Sequence, residues 1–233
     1  MSAFLELLTG PKLALVVSLP SNDLDMARAA LDNGADAIKV HANVWHRASG
    51  HTFGAFSEQR PFLEALIDLA GPRPVGLVPG ASEAFVSPHE FDELADMGLG
   101  FFSAYADDLP PFALRPSSVT RMVAIHDDYT PADLRGIRTW DAVDVVEVSV
   151  MPGSTYGSPL RATDLLRYRA IIDGCGKPTL VPTQRAISPD EVWALRSVGF
   201  NAVMIGAVVM DSSTDPHAVG AATAAFRTSI DSL

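Results

Sequence analysis

The chain has 233 residues, 48% of them hydrophobic and 19% charged, and its formal net charge is −11. This acidic balance argues against nucleic acid or an anionic membrane surface as the main partner, since both carry negative charge. The single cysteine, Cys175, excludes an internal disulfide and fits a reducing compartment. No basic segment precedes the apolar part of the N-terminus, and no apolar run reaches the roughly 18 residues of a membrane span, so we expect a cytoplasmic protein.

Short apolar runs that favour strands alternate with helix signals along the whole sequence. The predicted strands cover 13–19, 36–43, 75–78, 99–105, 121–126, 143–151, 179–181 and 202–205. The predicted helices cover 23–33, 60–70, 87–97, 160–173 and 216–230, and two more begin near 130 and 188. The segments at 87–90 and 188–191 have the pattern of capping boxes, and a proline-rich connector at 109–116 replaces a clear fourth helix or carries a short one.

About eight strand–helix units without a break in composition predict an α/β protein, a (β/α)8 TIM barrel with residues 1–233 as a single domain. Three predicted helices end at Gly34, Gly98 and Gly199, and a strand follows each within about three residues, as is typical of α/β units. The alternative is a doubly wound open sheet, but no G-x-G-x-x-G segment follows the first strand. In a closed barrel, the carboxyl ends of all strands would meet at one mouth, where such folds hold their ligands.

The sixth predicted strand has an apolar face and a polar face. Glu147 and Ser149 alternate with three valines, and strand side chains change face at every residue. Polar groups beneath the helices would be left unpaired, so the polar faces of the strands must line the barrel lumen. On these grounds the lumen holds Lys39, His41, His126, Glu147 and Ser149, with Ser18 as a further candidate. We expect Ser18, His41 and Ser149 to contact the substrate.

Lys39 and Glu147 form the strongest candidate pair for chemistry. Burial lowers the pKa of a lysine and a facing carboxylate raises it again, so the pair suits proton transfer. Lys39 can also act as a Schiff-base amine in such a setting. The alternative is a structural ion pair in the centre of the barrel. His126 at the end of the fifth strand is a candidate general acid or hydrogen-bond donor, and a structural histidine is its alternative interpretation.

His41, His46 and His51 recur at a regular spacing, which is a reason to consider a metal site. They leave a strand and enter a polar loop, however, so the spacing defines no coordination geometry. With one cysteine in the chain and no carboxylate beside these histidines, we expect no metal and no cofactor.

A second cluster has the composition of an anion-binding cup. Barrels that bind phosphorylated substrates often use the loops after strands 7 and 8 together with a short helix N-terminus. We expect Arg185 to bind the substrate through its charge, and backbone or hydroxyl groups to bind phosphate at Gly153, Ser154, Gly157, Thr183, Gln184, Gly206 and Ala207. Ordinary turn chemistry is the alternative. The Ile-Gly-Ala turn after the last strand favours phosphate, so the expected partner is a phosphorylated small molecule.

Two segments carry a resemblance to known families. SVMPGSTYGS at 149–158 resembles the S-V-N-P-G-x-x-G-G loop of ribulose-phosphate 3-epimerases. GFNAVMIGAVVM at 199–210 is similar to the last strand and phosphate loop of the ribulose-phosphate-binding barrel superfamily. That superfamily includes indole-glycerol-phosphate synthase, phosphoribosylanthranilate isomerase, N-acetylmannosamine-6-phosphate epimerase and the keto-gulonate-phosphate decarboxylases. The resemblance implies a barrel and a phosphorylated ligand, and it does not imply one particular reaction.

The second strand departs from these families. The 3-epimerases carry a metal-binding D-x-M-D-G-H segment there and the decarboxylases carry D-x-K-x-x-D, whereas this chain reads DAIKVHAN from Asp36 to Asn43. Most members also have a Gly-Gly pair after the seventh strand, where this chain has Pro182-Thr183. A lysine on the second strand with a glutamate elsewhere is similar to the mannosamine-phosphate epimerases, although their glutamate lies on another strand than Glu147.

We therefore predict a phosphosugar isomerase or epimerase of carbohydrate metabolism. Lys39 and Glu147 would shuttle a proton next to a carbonyl group, His126 would polarise that carbonyl, and the phosphate would orient the substrate. The alternatives are a Schiff-base aldolase, lyase or synthase that uses Lys39, and a barrel that binds a phosphorylated ligand without catalysis. The expected assembly state is a monomer or a homodimer.

Overall fold

The structure is a computed structural model that describes residues 2–233, apart from the side chain of Glu83. Its strands are β1 (Ala14–Ser18), β2 (Ala37–His41), β3 (Val44–His46), β4 (His51–Phe53), β5 (Val75–Val78), β6 (Phe101–Tyr105), β7 (Thr120–Ile125), β8 (Val145–Val148), β9 (Thr179–Pro182) and β10 (Ala202–Ile205). Its α-helices are α1 (Ala3–Thr9), α2 (Leu24–Asp32), α3 (Phe56–Ala70), α4 (Pro88–Asp96), α5 (Pro131–Thr139), α6 (Ala162–Cys175), α7 (Val192–Val198) and α8 (Pro216–Asp231).

Eight of these strands form a closed parallel barrel within the described residues, in the order β1-β10-β9-β8-β7-β6-β5-β2. Each barrel strand is followed by a helix, except that β6 is followed by the single 3-10 turn Pro111–Leu114. The prolines of that connector fix their φ and lack the N–H group that an α-helix needs, which explains the exception. The predicted (β/α)8 barrel is confirmed, and the doubly wound sheet is excluded.

Local sequence signals account for where several helices begin and end. Gly34, Gly98 and Gly199 have φ values of 98°, 91° and 107°, a region in which residues with a side chain are strained, so they end helices and turn the chain towards the next strand. The first predicted capping box is present in α4, where Glu90 N donates to Ser87 Oγ at 3.3 Å and Ser87 N donates to Glu90 Oε2 at 2.8 Å.

The amino-terminal end of the barrel is closed by α1, which the sequence patterns did not predict. Phe4 and Leu8 of this helix are fully buried against the lower barrel interior. The ring of Phe4 stacks on that of Phe101 with centroids 3.8 Å apart and planes at 10°. Gly76 makes room for this stack, because a Cβ atom there would overlap the Phe101 ring.

Two further elements differ from the predicted ones. The predicted polar loop after β2 contains the antiparallel hairpin of β3 and β4. Helix α3 begins at Phe56 instead of near residue 60, and Asn43 Oδ1 accepts a hydrogen bond from Phe56 N at 3.1 Å at that helix start. A tertiary contact of this kind leaves no local sequence signal, so the helix start could not be read from the spacing of apolar residues.

Across residues 2–233, no helix combines the length and the apolar character that crossing a lipid bilayer requires.

We expect Phe4→Ala to lower the free energy of unfolding by about 3–5 kcal/mol, because it empties a fully buried site at the barrel floor. Urea denaturation followed by circular dichroism measures this change. Glu6→Ala, on the exposed side of the same helix, is the matched control and should change the value by less than about 0.5 kcal/mol. Equal effects of the two substitutions would show that α1 does not support the barrel.

Candidate active site

Polar side chains replace the apolar ones halfway up the barrel lumen. The lower interior layer includes Ala37, Phe101 and Val145 on strands β2, β6 and β8. Two residues further along these three strands, the inward positions are occupied by Lys39, Ser103 and Glu147, all of them buried. Side chains two apart on a strand share a face, so each strand passes from the apolar floor to a polar layer near its carboxyl end.

The ammonium group of Lys39 meets the carboxylate of Glu147 across the lumen. Strands β2 and β8 lie directly opposite each other in the barrel, with three strands between them on either side. Lys39 Nζ and Glu147 Oε2 are 3.1 Å apart, and each residue is 5% exposed. The predicted orientation of both head groups towards the same enclosed space is therefore confirmed.

Two serine hydroxyls complete the surroundings of Glu147. Ser103 Oγ donates to Oε2 at 2.6 Å, and Ser149 Oγ donates to Oε1 at 2.8 Å. Burial raises the pKa of Glu147, but the charge of Lys39 and the hydrogen bonds from both serines and from Lys39 together outweigh burial and lower that pKa below its ordinary value. Glu147 is therefore an ionised carboxylate at neutral pH.

The lysine–glutamate pair lies at the border between two lobes of the cavity in the barrel mouth. The smaller lobe has a volume of about 90 Å³ and the larger lobe about 480 Å³. The residues that line both lobes are Lys39, His46, Ala48, Tyr105, Glu147, Ser149 and Tyr156. A molecule that extends from one lobe into the other therefore passes directly over the charged pair.

The small lobe is formed largely by the loops that the sequence predicts to bind phosphate. Its other lining residues are Ser18, Pro182, Thr183, Gln184, Met204, Gly206, Ala207 and Val208. The last two begin a 3-10 helix, Ala207–Met210, whose first N–H groups have no acceptor within that helix. Hydroxyl and backbone donors thus surround a space of about the size of one phosphate group.

The large lobe contains the predicted residues His41, His126 and Gly153. His126 stacks on Tyr105 with ring centroids 3.7 Å apart and planes at 6°, which fixes its position on the lobe wall. Burial, reinforced by the nearby Tyr156 and Glu147 groups, raises the pKa of Tyr105 well above its ordinary value. Tyr105 therefore presents a neutral hydroxyl group to both lobes at any physiological pH.

The hairpin of β3 and β4 covers one side of the mouth and packs on His41. The His41 ring lies 4.3 Å from the His46 ring and 4.7 Å from the Phe53 ring, measured between centroids. Neither ring nitrogen of His41 has a hydrogen-bond partner in the described structure. Burial, followed by the influence of His46 and Lys39, lowers the pKa of His41 well below 6.5, so His41 is neutral.

Three predicted residues do not reach the cavity. Ser154 and Gly157 line neither lobe. Arg185 is also absent from both lobes, and its Nη2 pairs with Asp164 Oδ1 at 2.9 Å while its Nη1 donates to Ser158 Oγ and to Thr155 O. The charge of Arg185 is thus engaged in holding the loop at 153–158 against α6.

Sequence reasoning missed several lining residues of the mouth, among them Arg47, Ser103, Tyr105 and Tyr156. Arg47, in the hairpin turn, lines the large lobe and lies against Gly153, where an added Cβ atom would overlap its guanidinium group. Tyr156 lines both lobes, and its hydroxyl accepts a hydrogen bond from Gln184 Nε2 at 2.6 Å. Tyr156 lies in the glycine-containing loop that the sequence predicts to reach the mouth, so its hydroxyl could have been included. Nothing in the sequence near Arg47 indicates that it lines the mouth.

His41, His46 and His51 lie at the end of β2, the end of β3 and the start of β4. His51 is paired with His46 across the hairpin, but its Nδ1 is 2.9 Å from the carbonyl oxygen of Pro20 and is engaged in that contact. Among the described residues, no group of three or more His, Cys, Asp or Glu side chains is arranged to hold a metal ion.

No protein-family model and no curated protein sequence matches the chain. Solved structures do match over almost the whole length. KGPDC from Streptococcus mutans is 16% identical with a TM-score of 0.68, covering 94% of this chain and 98% of that one. Tryptophan synthase from Mycobacterium tuberculosis is 15% identical with a TM-score of 0.69, covering 94% and 93%. Phosphoribosyl anthranilate isomerase from Thermus thermophilus is 16% identical with a TM-score of 0.61, covering 93% and 98%.

The names of these neighbours describe a synthase and an isomerase, among others, and the likeness to them is one of fold. The resemblance to the ribulose-phosphate-binding barrels that the sequence predicts is therefore confirmed at the level of the fold. At such low identity the likeness carries no information on the reaction, because one fold supports many chemistries.

We expect Lys39→Met to lower the free energy of unfolding at pH 7 by about 3–5 kcal/mol, because it leaves the Glu147 carboxylate buried and unpaired. In the unsubstituted protein the lowered pKa of Glu147 contributes stability above about pH 4.5 that is lost as the pH falls further. In the variant, burial is opposed only by the hydrogen bonds from Ser103 and Ser149, so the pKa of Glu147 is higher than in the unsubstituted protein. The difference between the two proteins should therefore shrink when the pH is lowered from 7 to 4.

Urea denaturation at several pH values measures this difference. Lys12→Met is the matched control, since Lys12 forms an exposed ion pair with Asp231 and should change stability by less than about 1 kcal/mol. The double variant Lys39→Met/Glu147→Gln should recover most of the loss. A deficit for Lys39→Met that stays constant between pH 7 and 4 would contradict the assignment of the loss to an unpaired carboxylate.

Proposed function

We propose that the chain is an enzyme that moves a proton next to the carbonyl group of a phosphorylated small molecule, as a phosphosugar isomerase or epimerase does. The observation that carries this proposal is the buried pair of Lys39 and Glu147 at the border between a phosphate-sized lobe and a larger one. An ionised pair with both head groups in a cavity, instead of in the packed core, is an arrangement that suits chemistry.

The phosphate group of the substrate occupies the small lobe in this proposal. Its oxygens accept hydrogen bonds from the first N–H groups of the helix Ala207–Met210 and from the hydroxyl of Thr183. These local donors suit an anion although the whole protein is acidic. A phosphate held at this point fixes the distance from the anchor to the reacting carbon above the charged pair, and such fixed positioning is itself a large contribution to rate.

Lys39 stabilises the negative charge that develops on the carbonyl oxygen when the neighbouring carbon loses its proton. The ammonium is already positioned by Glu147 at 3.1 Å, so little reorganisation is needed when the oxyanion forms. Its location at the border of the lobes lets it reach a carbonyl group next to a bound phosphate ester.

Glu147 removes and returns the carbon-bound proton. In the free protein its hydrogen bonds to Lys39, Ser103 and Ser149 keep it ionised, which is the form a base needs. When Lys39 turns towards the developing oxyanion, Glu147 loses part of that stabilisation and becomes more basic. The base strength of Glu147 thus rises when the substrate oxygen replaces it as the partner of the Lys39 ammonium.

His126 contributes to the wall of the large lobe, where the rest of the substrate lies. Its stacking on Tyr105 leaves it available to donate to a substrate hydroxyl or carbonyl group. One structure with the same fold is named phosphoribosyl anthranilate isomerase, so the fold is compatible with this class of reaction.

A second candidate is an aldolase or lyase in which Lys39 forms a Schiff base. It is favoured by the position of Nζ at the border of both lobes and by a carboxylate 3.1 Å away that can accept the proton of the ammonium. In that mechanism the amine attacks the substrate carbonyl carbon, water leaves, and an iminium ion remains.

Proton transfer predicts exchange with solvent. We expect the protein to replace a carbon-bound proton by deuterium in at least one member of a panel of triose, pentose, hexose and amino-sugar phosphates, followed by ¹H NMR in D2O. Lys39→Met and Glu147→Gln should each slow this exchange by about 10²- to 10⁴-fold, since each removes one partner of the transfer. Lys12→Met, on the outer surface, is the matched control and should leave the rate unchanged. Exchange that persists at full rate in both lumen variants would contradict the proposal.

The Schiff-base alternative is tested by borohydride reduction. If Lys39 acts only in proton transfer, reduction in the presence of a compound that exchanges should leave the mass of the protein unchanged. A mass increase equal to the substrate less water plus two hydrogens, located on Lys39 by peptide mapping and absent in Lys39→Met, would establish the alternative. Binding of phosphorylated compounds without exchange or adduct would favour a binding barrel without catalysis.

A further inference from the structure

The hairpin adds a histidine to the part of the cavity wall that contains the charged pair. His46, the last residue of β3, lines both lobes of the cavity, as Lys39 and Glu147 do. His126 lines only the large lobe. Of the two histidines, His46 therefore lies nearer to the place where a substrate would cross from one lobe into the other.

A buried serine determines which nitrogen of His46 carries the proton. Ser49 Oγ lies 2.9 Å from His46 Nδ1, and His51 N donates a weak hydrogen bond to the same oxygen at 3.4 Å. Ser49 Oγ has no other hydrogen-bond acceptor among the described residues, so its hydroxyl proton is paired only when it is donated to His46 Nδ1. Nδ1 is then the acceptor, and the proton of a neutral His46 is on Nε2.

The His46 ring is held in place from its other side by His41, whose centroid is 4.3 Å away and which stacks in turn on Phe53. His41 is buried and neutral, so it supports the ring without adding charge. The structure shows no hydrogen-bond partner for His46 Nε2 among the described residues. This N–H group is therefore the one polar group of the ring left for a ligand.

Burial, assisted by the charge of Lys39, keeps His46 neutral. The charged and titratable groups around it are Lys39, Glu147, His41 and His51. Burial, together with the positive charge of Lys39, lowers the pKa of His46 to about 4 although Glu147 acts in the opposite direction. The ring is thus an uncharged hydrogen-bond donor throughout the physiological pH range.

We propose that His46 is a catalytic residue that donates a hydrogen bond from Nε2–H to the carbonyl oxygen of the substrate, beside the ammonium of Lys39. This inference rests on the proposed proton-transfer function and assigns to His46 the polarising role that the sequence suggested for His126. A neutral donor retains its own proton and stabilises the oxygen more as negative charge develops there, so it acts mainly in the transition state. Ser49 is a positioning residue, since it acts through the tautomer of His46.

The tautomer is tested on the free protein with ¹⁵N-labelled histidine and long-range ¹H–¹⁵N NMR. We expect the Nε2–H form of His46 between pH 5.5 and 8, and partial conversion to the Nδ1–H form in Ser49→Ala. A protonated imidazolium at pH 7, or the Nδ1–H form in the unsubstituted protein, would overturn the inference. This measurement needs no ligand, so its outcome does not depend on whether the proposed function holds.

The contact with the substrate oxygen is tested with 2-phosphoglycolate, whose carboxylate resembles the charged oxygen of the intermediate and whose phosphate fits the small lobe. By isothermal titration calorimetry we expect His46→Phe to weaken binding at least tenfold and His46→Gln to restore a large part of it, because the glutamine amide places an N–H group near the same point. His217→Phe, on the exposed surface of α8, is the matched control and should bind as the unsubstituted protein does.

Unchanged affinity in His46→Phe together with weakened affinity in Lys39→Met would show that His46 has no such role while the lumen pair does. Unchanged affinity in both variants would count against the proposed function as well as against the role of His46. Equal loss in His46→Phe and His46→Gln, with the expected tautomer present, would also overturn the inference, because a donor at that point would then not matter.

Discussion

The ion pair between Lys39 and Glu147 is the interaction on which the site depends. Placing either charge alone in the lumen would cost several kcal/mol, so each residue is stabilised there by the other. The barrel meets this condition because β2 and β8 face each other across the lumen, and because Ser103 and Ser149 each donate a hydrogen bond to the carboxylate. A pair of this kind costs stability in comparison with a packed apolar core, which favours a functional reason for it.

The strands contribute apolar residues to the floor of the barrel and polar residues to the layer above it. Phe4 and Leu8 of α1 close the barrel from below, so water reaches the pair only from the mouth. The hairpin of β3 and β4 covers part of the mouth and adds His46 and Arg47 to the cavity lining. An enclosed pair under a partial cover experiences a lower dielectric constant, and each electrostatic contact with a ligand is strengthened.

Much of the barrel and half of the site could be predicted from alternation alone. Valines on one side of Glu147 showed that its carboxylate points inward, and Lys39 between Ile38 and Val40 followed the same rule. The hairpin could not be predicted in this way, since three-residue strands are too short to show a period of two, and with it His46 and Arg47 were missed as lining residues. Arg185 was predicted from its charge, but its pairing with Asp164 depends on the distant start of α6.

A crystal structure of the protein grown or soaked in phosphate tests the central claim most directly. The account predicts an anion in the small lobe, within hydrogen-bond distance of the backbone at Ala207, with Lys39 Nζ and Glu147 still paired at its border. An anion bound elsewhere, an empty small lobe at saturating phosphate, or a Lys39 ammonium separated from Glu147 by packed hydrocarbon would contradict it.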